Sequence, residues 1–202
     1  LYGEYKKCEN ISIGHVWGGY DFDDHTIKKP NFNAKKAGEI LSEAGYSIIG
    51  NDGIRKNEKG ERASFELLYS NASHTERLTI LKEQAKKAGV DLQLKMMQQG
   101  MFNAVLNRRH QAWFGGMTTY YYPTYWQSFS SKNADTIPSN NFYGYKSAEM
   151  DKLIEVERTS SDLAELSENC KAIQRLVDKE ALIIPDYYLD FARAGMWKWV
   201  RF

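Results

Sequence analysis

The residues able to do acid–base, nucleophilic or metal chemistry in this 202-residue chain are few and scattered. The four histidines are His15, His25, His74 and His110, and no two share one helix face at metal-ligand spacing. His25 follows the acidic turn Asp21-Phe22-Asp23-Asp24, but the spaced acids and terminal glutamate of a calcium loop are missing. That turn is therefore predicted to be a solvated acidic turn, with no metal. Cys8 and Cys170 are too few and too far apart for zinc. They could pair in an oxidising compartment; the simpler reading is a partly buried thiol on each side. Glu39, Glu43, Glu76, Glu83, Glu155 and Glu157 stand beside lysines on predicted helix faces and read as solvated surface. No nucleophile elbow, phosphate-cradling loop or HExxH is present. The expectation is a binding protein rather than an enzyme, with no cofactor and no catalytic residue.

The binding chemistry concentrates in one run, Met117-Thr118-Thr119-Tyr120-Tyr121-Tyr122-Pro123-Thr124-Tyr125-Trp126. Rings there can stack on a ligand while phenol hydroxyls and the indole N–H fix its orientation. The hydroxyls of Thr118 and Thr119 add donors and acceptors. Tyrosine is amphipathic, so about half of these rings are expected to line a cleft and half to fill the underside of the loop. Asn140, Asn141, Phe142 and Tyr143 form a second polar-aromatic cluster, read either as ligand-facing or as a surface turn before a helix. The candidate ligand-binding residues are Met117, Thr118, Thr119, Tyr120, Tyr121, Tyr122, Trp126, Asn140, Asn141 and Phe142.

The elements that must position them can be read in order. Asn33 caps a helix whose inner face carries Ala37, Ile40, Leu41 and Ala44, and Gly45 closes it. Asn51-Asp52-Gly53 and Lys59-Gly60 mark two turns around a short hairpin. Phe65, Leu67 and Tyr69 alternate as a strand. Ser73, with Glu76, is predicted to cap a second helix with Leu78, Leu81 and Ala85 inward and Gly89 at its end. Val90 to Met96 alternates as another strand, a short helix follows from about Phe102 to Asn107, and Ala112-Trp113-Phe114 makes a third strand ending at Gly115-Gly116. Ser147 caps a helix with Met150, Leu153, Ile154 and Val156 inward, and Asp162 starts a longer one. Further strands are predicted through Ile183-Ile184 and from Ala192 to Val200. This β-α-β-α-β order predicts an α/β fold, a mixed sheet flanked by helices.

The composition is 42% hydrophobic and 26% charged with a net charge of +1, ordinary for a globular protein. No basic face points to nucleic acid, and no apolar run approaches the roughly 20 residues that cross a bilayer. The polar start at Leu1, without a signal-peptide pattern, and the aromatic end Met196-Trp197-Lys198-Trp199-Val200-Arg201-Phe202 predict a fragment of a longer protein.

Several segments, in order, resemble the extracellular solute-binding proteins of family 5, the dipeptide, oligopeptide and nickel binders of ABC importers. Phe32-Asn33-Ala34-Lys35-Lys36-Ala37-Gly38-Glu39-Ile40-Leu41-Ser42-Glu43-Ala44-Gly45-Tyr46 is similar to the family's "D-x-x-K-A-x-x-L-L-x-E-A-G-Y" helix. Asn51-Asp52-Gly53-Ile54-Arg55 with Asn57-Glu58-Lys59-Gly60 is similar to its "DGVR-x-N-x-x-G" hairpin, and Asn141 to Ile154 to "N-x-x-G-Y-x-x-P-E-x-D-x-L-I". Leu1-Tyr2-Gly3-Glu4-Tyr5 and the Trp-rich end resemble the Yej-type oligopeptide and microcin C branch. The resemblance implies a periplasmic-binding-protein-like lobe (type II, cluster C) and a periplasmic protein of two hinged lobes. It implies a peptide or peptide-like ligand in the interlobe cleft and ABC permease subunits of the inner membrane as partners. On this reading residues 1–30 continue from a first lobe, 31–185 are the second-lobe domain, and 186–202 return toward the first. A metal chelate or an oligosaccharide in the same scaffold is the alternative ligand.

One departure bears on the ligand. Many family members carry an aspartate in an "A-D-Y-x-x-P" loop that neutralises a peptide's α-amino group. Here the stretch reads Thr118-Thr119-Tyr120-Tyr121-Tyr122-Pro123, with no acid. A modified peptide, or one held by backbone hydrogen bonds and stacking, fits that change.

Overall fold

The fold is described from a computed structural model, over residues 5–29, 31–116, 123–189 and 199. In chain order the strands and helices are β1 (Lys6–Lys7), β2 (Val16–Trp17), β3 (Tyr20–Asp21), α1 (Ala34–Glu43), β4 (Ile48–Ile49), β5 (Arg55–Lys56), β6 (Ser64–Tyr69) and α2 (Thr75–Ala88). They continue as β7 (Asp91–Met96), α3 (Met101–Leu106), β8 (Ala112–Trp113), α4 (Trp126–Phe129), α5 (Ala148–Thr159), α6 (Leu163–Lys179) and β9 (Tyr187–Tyr188).

The described chain divides into two compact units. A central unit holds residues 31–116 and 124–155; a terminal unit holds 5–29, Pro123, 156–189 and Trp199. This division differs from the sequence-based boundary, because residues 156–185 cluster with the N-terminal segment rather than with 31–155. The reason lies in α6, whose buried polar side chains find their partners in residues 10–24.

The central unit is built on a parallel three-stranded sheet in the order β7-β6-β8. Parallel neighbours need crossover connections, and α2 and α3 supply them. Alternation along β6 and β7 sends Leu67, Tyr69 and Leu92 to one face, where they pack with Leu78 of α2. Leu68 points to the other face and packs with Met101 and Val105 of α3. Asn33 accepts from the Lys36 amide and starts α1 as expected. Gly89 ends α2 at φ +93, where an added Cβ would meet Arg55 Cγ at 2.6 Å.

Four local expectations are corrected. Ser73 does not cap α2: Asn71 accepts from the Ser73 amide and opens a 3-10 turn, so α2 starts at Thr75 with no side-chain cap. Ile40 and Leu81, predicted to face inward, are 54% and 48% exposed. Beneath α1 the Arg55 guanidinium bonds Ser42 Oγ (2.8 Å) and the Tyr46 carbonyl (3.1 Å), a polar staple beside the half-buried Ala37 and Leu41. Glu157 is buried, because it follows Ile154 by three residues on the inner face of α5. Ile183-Ile184 forms no strand; Pro185 follows, Ile184 is 87% exposed, and pairing resumes at β9, antiparallel to β1. The strand predicted from Ala192 to Val200 lies outside the described residues, except Trp199.

The terminal unit is held by a polar core. The Gln174 side chain accepts from Asn10 Nδ2 (2.5 Å) and the Asp24 amide (2.8 Å), and donates to the Phe22 carbonyl (2.7 Å). Asp162 accepts from the amides of Ala164 and Glu165 and caps α6. Cys8 and Cys170 are both buried free thiols. No helix among the described residues is long and apolar enough to cross a membrane.

Candidate functional site

Met117, Thr118, Thr119, Tyr120, Tyr121 and Tyr122 lie outside the described residues. The structure describes what flanks them. Before the run, the Phe114 amide donates to the Leu68 carbonyl (2.7 Å) and prolongs β8 along β6. Gly115 then lies so close to the Trp113 indole that a Cβ would meet it at 1.9 Å. After the run, Tyr125 is buried and α4 carries Trp126, half-buried, and Gln127, exposed.

The segment from Trp126 to Tyr145 folds back on itself through side-chain hydrogen bonds. Asn133 Nδ2 donates to the carbonyls of Trp126 (3.1 Å) and Gln127 (3.2 Å). Ser139 Oγ donates to the Asn133 carbonyl (2.7 Å), and the Ser139 amide donates to the Leu106 carbonyl of α3 (3.0 Å). Arg108, at φ +51, donates from Nη1 to the Ala134 carbonyl and from Nη2 to the Thr136 carbonyl (2.7 Å).

Asn141 is the hub. It is 0% exposed; its Nδ2 donates to the carbonyls of Ser130 (3.1 Å) and Tyr145 (2.9 Å), and its Oδ1 accepts from the Tyr145 amide (3.0 Å). Its carboxamide is spent on shaping the loop. Phe142 is half-buried and packs edge-on against Phe102 (6.1 Å) and Trp113 (5.5 Å). Tyr143 stacks on Phe129 at 5.7 Å, and burial pushes its phenol up to about 12. Asn140 is exposed and donates from Nδ2 to Gln127 Oε1 at 2.9 Å. Of the second cluster, Asn140 is exposed, Asn141 is buried, and Phe142 and Tyr143 are half-buried.

Trp126, Asn140, Asn141 and Phe142 therefore belong to one folded segment of the central unit, in different capacities. Trp126 and Asn140 are at its surface, Phe142 within a train of rings, and Asn141 inside. Sequence reading passed over Gln127, Asn133 and Arg108. Spacing alone carries no signal for them, since each acts on a partner at least six residues away.

The acidic turn is also corrected. Asp23 and Asp24 are 4% and 5% exposed, not solvated. Asp23 Oδ1 accepts from Ser12 Oγ (2.6 Å) and lies 3.1 Å from His15 Nδ1. Ser12 Oγ is 2.8 Å from that same nitrogen. A catalytic triad places the hydroxyl and the carboxylate on opposite ring nitrogens; here both crowd Nδ1 and the hydroxyl proton goes to the carboxylate. The group is a buried lock, not a nucleophile system. Burial alone would raise the Asp23 carboxyl, but hydrogen bonds from His15, Ser12 and the His15 amide outweigh it and hold it below the ordinary range. Asp24 is likewise held down against burial by Thr26 and Arg175. Among the described residues no group of three or more His, Cys, Asp or Glu could hold a metal ion.

Comparison with known proteins gives the class. The sequence profile of bacterial extracellular solute-binding proteins, family 5 Middle, matches residues 1–137, and the chain belongs to that family. Among individual relatives, it is 30% identical over 173 residues to the periplasmic oligopeptide-binding protein OppA of Salmonella typhimurium, covering 82% of this chain and 28% of that protein. It is 25% identical over 162 residues to the oligopeptide-binding protein AppA of Bacillus subtilis, covering 78% of this chain and 29% of AppA. The AppA structure in complex with a nonapeptide superposes with a TM-score of 0.76 at 22% identity, over 93% of this chain and 37% of AppA. A periplasmic oligopeptide-binding protein of Thermotoga maritima bound to mannohexaose has a TM-score of 0.65 at 19% identity, over 77% of this chain and 31% of that one. The chain thus spans under a third of the length of its curated relatives, and its fold is that of family 5 binding proteins.

Proposed function

We propose that this chain is part of a periplasmic solute-binding protein that captures a peptide or peptide-like ligand in a cleft between lobes and delivers it to an ABC permease. The central unit corresponds to the second lobe. Met117, Thr118, Thr119, Tyr120, Tyr121, Tyr122 and Trp126 supply the stacking surface and Asn140 a polar contact, while Asn141 and Phe142 hold the loop behind them. The observation that carries this reading is the 30% identity over 82% of the chain to a periplasmic oligopeptide-binding protein. The tyrosine-rich run, directly after β8, supports it, because rings at a strand end can cover a ligand on one side.

The test is calorimetric titration with a tri- to hexapeptide library, using the chain within the whole polypeptide its gene encodes. Alongside it runs the Tyr120→Ala/Tyr121→Ala double variant. Binding by the wild type that the variant loses supports peptide recognition by this loop; no heat from any peptide removes the reading. Stacking rings serve sugars equally well, and the mannohexaose bound by the Thermotoga relative makes an oligosaccharide the second ligand to titrate.

A further inference from the structure

The Asn140–Gln127 contact carries information about what the ligand offers. Both side chains are exposed carboxamides, and one hydrogen bond of 2.9 Å joins them. A carboxamide has one acceptor oxygen and one N–H2 donor. After the shared bond, Asn140 Oδ1 is left as an acceptor and Gln127 Nε2 as a donor, and neither has another partner among the described residues. Exchanging oxygen and nitrogen in both amides again leaves one donor and one acceptor side by side, with the roles of the two residues exchanged.

The pair is preorganised from behind. Asn133 fixes the backbone of Gln127 by bonding its carbonyl. Asn141, next to Asn140, is fully buried and tied to Ser130 and Tyr145. Arg108 pins Ala134 and Thr136. A donor and an acceptor on a held backbone, already joined to each other, cost less ordering entropy when a ligand docks than two independent side chains would. The complement of one acceptor and one donor side by side is a neutral secondary amide, whose C=O and N–H both bond in its plane.

Resting on the peptide-binding reading above, we propose that Gln127 and Asn140 form a paired-amide reader of a backbone peptide group. Gln127 Nε2 donates to the ligand C=O, and Asn140 Oδ1 accepts from the ligand N–H. The pair recognises the main chain, so it tolerates side-chain sequence and needs no charged terminus.

The experiment titrates the whole protein with N-acetyl-tetra-alanine amide, which has no charged end. Its counterpart with ester links in place of the internal amides, and mannohexaose, are run beside it. Gln127→Glu keeps the acceptor toward Asn140 and replaces the outward N–H with a carboxylate oxygen that repels a ligand C=O; it should weaken the blocked peptide by at least about tenfold, the worth of one strong hydrogen bond. Asn140→Ala should weaken the amide peptide similarly and leave the ester analogue, which lacks the N–H, unchanged. Both positions are exposed, so thermal midpoints should match the wild type.

Blocked peptide bound equally by wild type and both variants overturns the paired-amide reader and leaves peptide binding intact. An Asn140→Ala loss equal for amide and ester overturns it too, as does a loss for mannohexaose alone. A wild type that binds no peptide, blocked or free, removes both readings together.

Discussion

Asn141 does alone what a turn of backbone would otherwise do, closing the loop on the carbonyls of Ser130 and Tyr145 and on the Tyr145 amide. Replacing it with alanine strands buried polar groups. Asn141→Ala should cost about 2 to 3 kcal/mol, read from urea unfolding. Asp23 gives a prediction in pH. Its native pKa is lowered, so the carboxylate stabilises the fold at pH values above the ordinary carboxylate range. That stability is lost as pH falls through the lowered native value. Asp24, also lowered, acts in the same direction. Urea midpoints followed from neutrality into acid should therefore fall, and Asp23→Asn should be less stable at neutrality with a shallower acid dependence. A variant as steeply acid-sensitive as the wild type would assign the effect to other carboxylates.

Two elements hang on arginines. Gly89 combines φ +93 with Arg55 Cγ at 2.6 Å from a would-be Cβ, so Gly89→Ala should destabilise by more than about 1 kcal/mol, measured by thermal melting. Arg108→Met removes both carbonyl bonds that pin residues 134–136. Amide hydrogen exchange should accelerate in 134–144 while β6 and β7 stay protected; uniform acceleration would mean that Arg108 supports the whole unit. The elements most legible in the sequence were those whose signals are local. Asn33 and Asp162 cap their helices within three residues, and β6 and β7 alternate in plain view. What stayed hidden depends on distant partners. Asp24 is buried because Arg175 meets it from 151 residues away. Asn141 looks like an exposed turn asparagine until Ser130 and Tyr145 close around it. The aromatic composition of the site was evident, but not which rings turn inward, since the Phe129–Tyr143 stack joins residues fourteen apart.

At the scale of the molecule, the terminal unit reports its own integrity. Burial, with Glu157 and Asp23 nearby, pushes the Cys170 thiol up to about 12, and burial also raises Cys8. Thiolate is the reactive form, so a thiol reagent at neutral pH should label neither cysteine in the native chain. Labelling should follow denaturant unfolding of the terminal unit, and its midpoint can be compared with that of the central unit from Trp113 and Trp126 fluorescence in a Trp17→Phe/Trp197→Phe/Trp199→Phe background. Fast native labelling would contradict the buried thiols. The chain belongs to the family 5 solute-binding proteins, and the relatives it matches are longer than it is. Its polar core also fixes an order of events. Asn10 meets Gln174 across 164 residues of chain, the whole central unit intervening. Closing so long a loop is slow, and it becomes shorter in effect once the intervening residues have condensed. On a ribosome the first 29 residues emerge long before α6 exists to receive them. Residues 5–29 are made before α6, and until it is made Phe22, fully enclosed in the finished fold, is open to whatever else binds apolar chain.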